Sequence, residues 1–171
     1  MAITMRSRFE LERLRVLIAE GLGISDVLLG DTGHKIPKGA FITLREISSV
    51  ELGIPERRQI SDTEEEIRQH NQLLVSAQAY GPGAMAVLNA LSAWLASTPG
   101  MEALASIDTS SPTCTLPRNI SGAVPSGWEQ RAAMEITLTY SARYAVALPI
   151  IETVPVCIAT AEGSINFEIE R

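Results

Sequence analysis

The sequence predicts an α+β fold: a mixed, mostly antiparallel sheet packed with two main helices, in a single domain spanning residues 1–171. Three observations lead there. Apolar and polar residues alternate along "NQLLVSAQAY" (71–80) and again along "MEITLTYS" (134–141), the period of strands with one covered face. Apolar residues recur at helical spacing over residues 6–20 and 84–96. A chain of 171 residues, 46% hydrophobic, is long enough to bury one core and short for two domains.

In the first helical segment, Leu11, Leu14, Leu17 and Ile18 share one face, with Phe9 extending it, and Arg6, Arg8, Glu10, Glu12, Arg13 and Arg15 fill the rest. Gly21 is expected to stop it. Residues 21–40, with their glycines, Asp31 and Pro37, read as a loop-rich passage containing a short helix near residues 25–29. "AFITLREISS" has the β-rich content of a first strand. The polar run "VELGIPERRQISDTEEEIRQHNQ", with Gly53, Pro55 and four closely spaced carboxylates, reads as an exposed arm outside the core. The strand at 71–80 then turns through Gly81, Pro82 and Gly83 into the second helix. Its Ala84, Leu88, Leu91 and Leu95 fall at helical spacing, with Pro99 and Gly100 expected beyond its end. "DTSSPTCTLPRNISGAVPSG" reads as a long loop with a short strand near residues 114–116. After the strand at 134–141, the β-branched tail over 150–158 and "SINFEIE" suit edge strands interrupted by proline.

Several function classes lose their footing on composition. With 14 Lys plus Arg against 20 Asp plus Glu, the net charge of −6 gives no bulk attraction to nucleic acid or an anionic membrane. Aromatic and basic residues do not interleave as on a single-strand platform. Two cysteines, Cys114 and Cys157, make no disulfide framework, and no uninterrupted apolar stretch of spanning length is present. The expectation is a soluble, cytoplasmic protein without a secretion signal.

The strongest motif for small-molecule chemistry is Gly81-x-Gly83-x-x-Ala86, the spacing of a dinucleotide phosphate loop. Its context argues against that use. The preceding strand alternates instead of running continuously apolar, Pro82 removes one N–H, and Glu102 follows Pro99 and Gly100 without the second strand that would present a ribose-binding acid. His34 and His70 lack metal-ligand spacing, and Cys114 has no cation near it in sequence to lower its pKa. The carboxylates Asp62, Glu64, Glu65 and Glu66 lack the glycine spacing of a calcium loop. No catalytic, cofactor or metal residue is assigned, and no enzyme is expected. An interaction role remains, with Trp128, Glu129 and Arg131 at the entry to the best strand as anchors of a subunit contact; a Trp covering the core edge and an Arg paired with Glu129 or Glu135 is the purely structural alternative.

The order of motifs points further. "SAQAYGPGAMAVLNALSAWL", followed by "PRNISGAVPSGWEQRAAMEITLTYSA", resembles the neck and tail terminator proteins of contractile-tailed bacteriophages, with their Y-G-x-x-A helix start and W-x-x-R-A strand entry. "IPKGAFITLREISSVELG" is similar to that family's first strand, and the resemblance spans about residues 36–155. It implies a tail-terminator-like domain that forms a ring, typically a hexamer, capping the tail tube and joining it to the neck. Tyr80, Gly81 and Ala84 at the helix start, and Trp128, Arg131 and Ala132 at the strand entry, carry over as fold and assembly positions. Expected partners are copies of the chain itself, the tail tube protein, the neck connector or a head-completion protein, and the tail sheath. DNA would pass through the lumen without specific binding, and no cofactor or membrane is implied. The expected place is the virion's tail–neck junction, with the host cytoplasm during assembly. Two alternatives stay open: another head–tail junction component, such as a tail-completion or head-completion protein, and a small nucleotide-binding enzyme.

Overall fold

The strands with the clearest alternation form the centre of the sheet. In a computed structural model the described residues are 3–30, 33, 37, 39–110, 112–125, 127–149, 153–160 and 163–170, the last two spans as backbone alone. β1 (Ile3–Ser7) is followed by α1 (Leu11–Leu22), β2 (Val27–Leu29), β3 (Phe41–Ser61), β4 (Glu64–Tyr80), α2 (Ala84–Leu95) and α3 (Thr98–Ala105). Four short strands come next: β5 (Thr113–Cys114), β6 (Arg118–Asn119), β7 (Gly122–Val124) and β8 (Gly127–Glu129). β9 (Arg131–Ala147), β10 (Thr153–Thr160) and β11 (Gly163–Glu170) complete the chain. The main sheet runs β1-β9-β4-β3-β2, with β5 and β6 lying along the same edge of β9 as β1. Every pairing in it is antiparallel except β2 with β3. Two hairpins, β7–β8 and β10–β11, form separate two-stranded sheets.

One face of the proximal half of this sheet carries the core. Ile42 and Leu44 of β3, Leu73, Val75, Ala77 and Ala79 of β4, and Ala132, Met134, Ile136 and Leu138 of β9 are buried there. They meet Leu14 and Ile18 of α1, Leu88, Leu91 and Leu95 of α2, and Leu104 of α3. Each such leucine taken out of water contributes about 1.5–3 kcal/mol, so the helix stripe at 84–95 decides which way α2 faces. The alternate residues of β4 and β9, such as Ser76, Gln78, Glu135 and Thr137, are less buried and form a mostly polar opposite face.

Four sequence expectations are corrected. The first helix starts at Leu11, not near residue 6, because residues 3–7 pair with β9 as an edge strand. It also runs through Gly21 to Leu22, and Gly23 (φ 64°) caps it, its N–H and that of Ile24 bonding to Glu20 and Ala19 carbonyls. Gly21 serves packing instead: a Cβ there would fall inside the Trp94 indole of α2. Residues 27–29 form a strand parallel to β3, not a helix, held to α1 by Arg15, whose guanidinium donates to the Val27 carbonyl and to Glu12. Pro99 and Gly100 lie beyond the end of the second helix as expected, and they open a further one that the sequence did not announce: Ser97 caps α3, its hydroxyl accepting from the Gly100 N–H, and Pro99 occupies its first turn.

The fourth correction concerns the polar run 50–72. It lies outside the helical core as expected, yet not as a separate arm: it forms the distal halves of β3 and β4, paired along the sheet. At 21 and 17 residues these strands far exceed the usual 3–10. Gly53 and Pro55 sit where the register shifts between Leu52 and Glu56, a bulge on an edge strand where a missing N–H costs little. With β9 and β1 the pair makes a four-stranded ribbon beyond the helices, in rungs such as Met5–Tyr144–Ile67–Arg57.

Candidate functional site

The sheet's proximal end brings the two sequence motifs into one place. Tyr80, last residue of β4, pairs across the ladder with Arg131, first residue of β9. Adjacent antiparallel strands set their side chains face to face, and the Arg131 guanidinium lies over the Tyr80 ring, 5.1 Å from its centroid. The other side of that ring stacks on Phe41 at 4.7 Å and 5°. Arg131 also pairs with Glu129, its Nε donating to the carboxylate at 2.6 Å. Cation, ring and carboxylate thus form one contiguous set of contacts. Glu129, not Glu135, is the partner; Glu135 instead faces Arg118 at 3.8 Å.

Gly81 and Gly83 take positive φ (87° and 79°), and at Gly81 a Cβ would sit 3.1 Å from the Ala40 backbone. The loop N–H groups are spent inside the protein. Gly81 donates to the Gln130 carbonyl at 2.9 Å, Gly83 to the Gln130 side-chain oxygen at 3.1 Å, and Ala84 to the Gly81 carbonyl at 3.2 Å. Pro82 has none to give. A phosphate cradle needs those donors, and it needs a parallel strand after the helix, whereas both neighbours of β4 are antiparallel. The Gly81-x-Gly83 spacing therefore encodes a strand-to-helix joint locked to the start of β9.

Beside this joint lies a shallow groove of about 340 Å³, lined by Gly83, Met85, Asn119, Gln130, Arg131 and Trp128 among others. Trp128, on the β7–β8 hairpin, is 73% exposed. The core-edge alternative for this residue is thus overturned: the indole covers no core. Ala84 is buried at the head of α2. The six motif residues Tyr80, Gly81, Ala84, Trp128, Glu129 and Arg131 meet at one end of the sheet although nearly fifty residues separate the two groups.

Two further constellations lie on the distal ribbon and escaped sequence reasoning, since strand register alone assembles them. His70 of β4 shares a 2.8 Å hydrogen bond between Nδ1 and the Ser141 hydroxyl, and its Nε2 is 3.6 Å from Glu56. Serine, histidine and carboxylate are the ingredients of a nucleophilic triad, yet here they are cross-strand neighbours on one face of a pleated ribbon. Ser141 lies mid-strand, not on a turn whose N–H groups would face an oxyanion, so the arrangement braces the ribbon. One rung further out, Arg58, Arg68 and Arg143 surround Glu66 in an open groove. Arg68 and Arg143 are directly paired, an unfavourable like-charge pair relieved by Glu66 at 3.4 Å.

The remaining candidates are dispersed. Glu64 pairs with Arg6 at 2.6 Å, while strand alternation turns Glu65 to the opposite face from Glu64 and Glu66, so the acidic run gathers no ion site. Burial pushes the Cys114 thiol up, away from a nucleophilic thiolate. His34 falls outside the described residues, as do the side chains of 150–171. Among the described residues no helix is long and apolar enough to cross a membrane. No curated protein matches the chain. A family model does: that of the phage neck terminator protein matches residues 11–164.

Proposed function

The chain belongs to the phage neck terminator protein family, a structural family of the virion neck, and from that premise we propose that it ends the tail tube as a ring of identical subunits, six in number, and joins the tail to the head connector. One observation supports a contact role most directly: an indole 73% exposed stands beside a groove whose walls are fixed by the Tyr80–Arg131–Glu129 cluster. Tryptophan and arginine are the residue types that concentrate binding energy at interfaces, and a rigid support lowers the entropy lost on docking. The partners of this reading are neighbouring copies, the tail tube protein, the connector or a head-completion protein, and the sheath. The polar face of the sheet and the net negative charge suit a lumen through which DNA moves without being held.

Trp128→Ala tests it. The isolated chain should unfold within about 0.5 kcal/mol of the parent, because an exposed side chain adds little to stability. Binding to purified tail tubes, followed by cosedimentation and particle imaging, should weaken at least tenfold. A ring seen at the tube end that is unaffected by the substitution removes the groove from the interface. Particles that place the protein elsewhere in the junction, as a head-completion or tail-completion component, remove the terminator role itself.

A further inference from the structure

The distal ribbon has two unpaired edges. On one side β1 pairs with β9 and, among the described residues, with no other strand. On the other side β2 and the Gly30 N–H cover β3 only as far as Leu44, leaving the outer backbone of residues 46–61 without a ladder partner among the described residues. Long open edges recruit other strands, and folded proteins cover them. Large apolar side chains stand exposed on both edges: Ile3 and Met5 on β1, Ile47, Val50 and Leu52 on β3.

Polarity and charge match the two edges to each other. The ribbon β1-β9-β4-β3 alternates in direction at every step, so its two edge strands run opposite ways. When identical copies stand side by side in the same orientation, β1 of one meets β3 of the next antiparallel. The rungs put β1 level with residues 56–59 of its own β3, so contact with 46–56 of the neighbour requires a stagger along the strands, as in a closed sheet of tilted strands. β1 carries Arg6, which is ion-paired with Glu64 within the chain, and Arg8 follows just after the strand. Along β3, residues 46–56 contain Glu46, Glu51 and Glu56 and no lysine or arginine, while Arg57 and Arg58 follow immediately. All three glutamates are exposed.

We infer that neighbouring subunits join by antiparallel pairing of β1 of one copy with the carboxylate-bearing stretch 46–56 of β3 in the next, so that each copy adds four strands to a continuous closed sheet. The contact is head-to-tail, the kind that closes into a ring when its rotation permits, and it removes both open edges at once. The inference rests on the ring proposed above and specifies which surfaces meet. The occupant is a second copy of this chain; the β10–β11 hairpin, a separate sheet in the structure, is the rival strand donor.

A cysteine scan of the full chain, in a Cys114→Ser, Cys157→Ser background, tests it with and without tail tubes. Met5→Cys is combined in turn with a cysteine at each position from 47 to 56, and oligomerisation is read by native mass spectrometry alongside. Disulfide-linked oligomers whose yield peaks at every second β3 position are expected, since only alternate residues of a strand share a face. Charge reversal by Glu46→Arg with Glu51→Arg should weaken association at least tenfold with the melting curve of the isolated chain unchanged. Oligomers that form with no Met5→Cys linkage to β3, or that link β3 to residues 153–170 instead, overturn the edge pairing while leaving the ring intact. A chain that stays monomeric even on tail tubes overturns both.

Discussion

At the scale of single residues, Gly81 and Gly83 show how one spacing acquires its meaning from its hydrogen bonds. Both need left-handed backbone, and their N–H groups end on Gln130 rather than on a ligand. Gly83→Ala, where the added Cβ meets nothing, should cost about 1 kcal/mol by denaturant unfolding, and Gly81→Ala about 1–3 kcal/mol because it also presses on Ala40. Neither should alter a thermal-shift response to NAD or ATP. A stabilisation by nucleotide in the parent that Gly83→Ala abolishes would reinstate the phosphate loop. Cys114 makes a second residue-level prediction. Burial raises its pKa and so lowers the thiolate fraction, and alkylation at pH 8, followed by peptide mapping, should be slower in the folded chain than in the unfolded one. Equal rates would mean the thiol is open to solvent. The motif cluster was only partly legible from residues: Tyr80 and Arg131 were recognisable separately, but their stacking depends on the register of β4 with β9.

At the scale of elements, α2 and its packing against α1 decide how firmly the sheet is covered. Leu88 has no solvent exposure and belongs to the core cluster, so Leu88→Ala should cost about 2–5 kcal/mol, whereas Ile54→Ala, at a side chain 90% exposed, should stay within about 0.5 kcal/mol. Gly21→Ala should destabilise despite alanine's better helix propensity, because the new methyl and the Trp94 ring claim the same space. A double-mutant cycle with Trp94→Ala isolates that collision: the Gly21→Ala cost should fall once the indole is gone, and additive costs would place the damage elsewhere. The helix stripe Ala84, Leu88, Leu91 and Leu95 could be read from sequence because it is buried along its whole length. α3 could not, since Pro99 and Gly100 resemble a helix end until Ser97 is seen capping a new first turn.

At the scale of the whole molecule, stability should fall away from the helical half of the sheet. Amide hydrogen exchange should be slowest in α2 and the proximal parts of β4 and β9, and fastest among the strands in two-stranded hairpins such as β10–β11, whose strands pair, among the described residues, only with each other. Slow exchange in that hairpin in the isolated chain would show that it packs on something more. What the sequence by itself determined were the elements that bury one face in the core: β4 and β9 by their alternation, α2 by its stripe, and the joint between β4 and α2 by its glycines. Burial of one face writes a period into the chain, and the period can be read without coordinates. Only the tertiary structure decided that residues 3–7 are a strand and not the start of α1, that 27–29 run parallel to β3, and that the polar stretch 50–72 continues two strands outward. Edge and ribbon strands meet water on much of their surface and are specified by backbone hydrogen bonds to neighbours, a determinant that leaves no apolar period in the sequence.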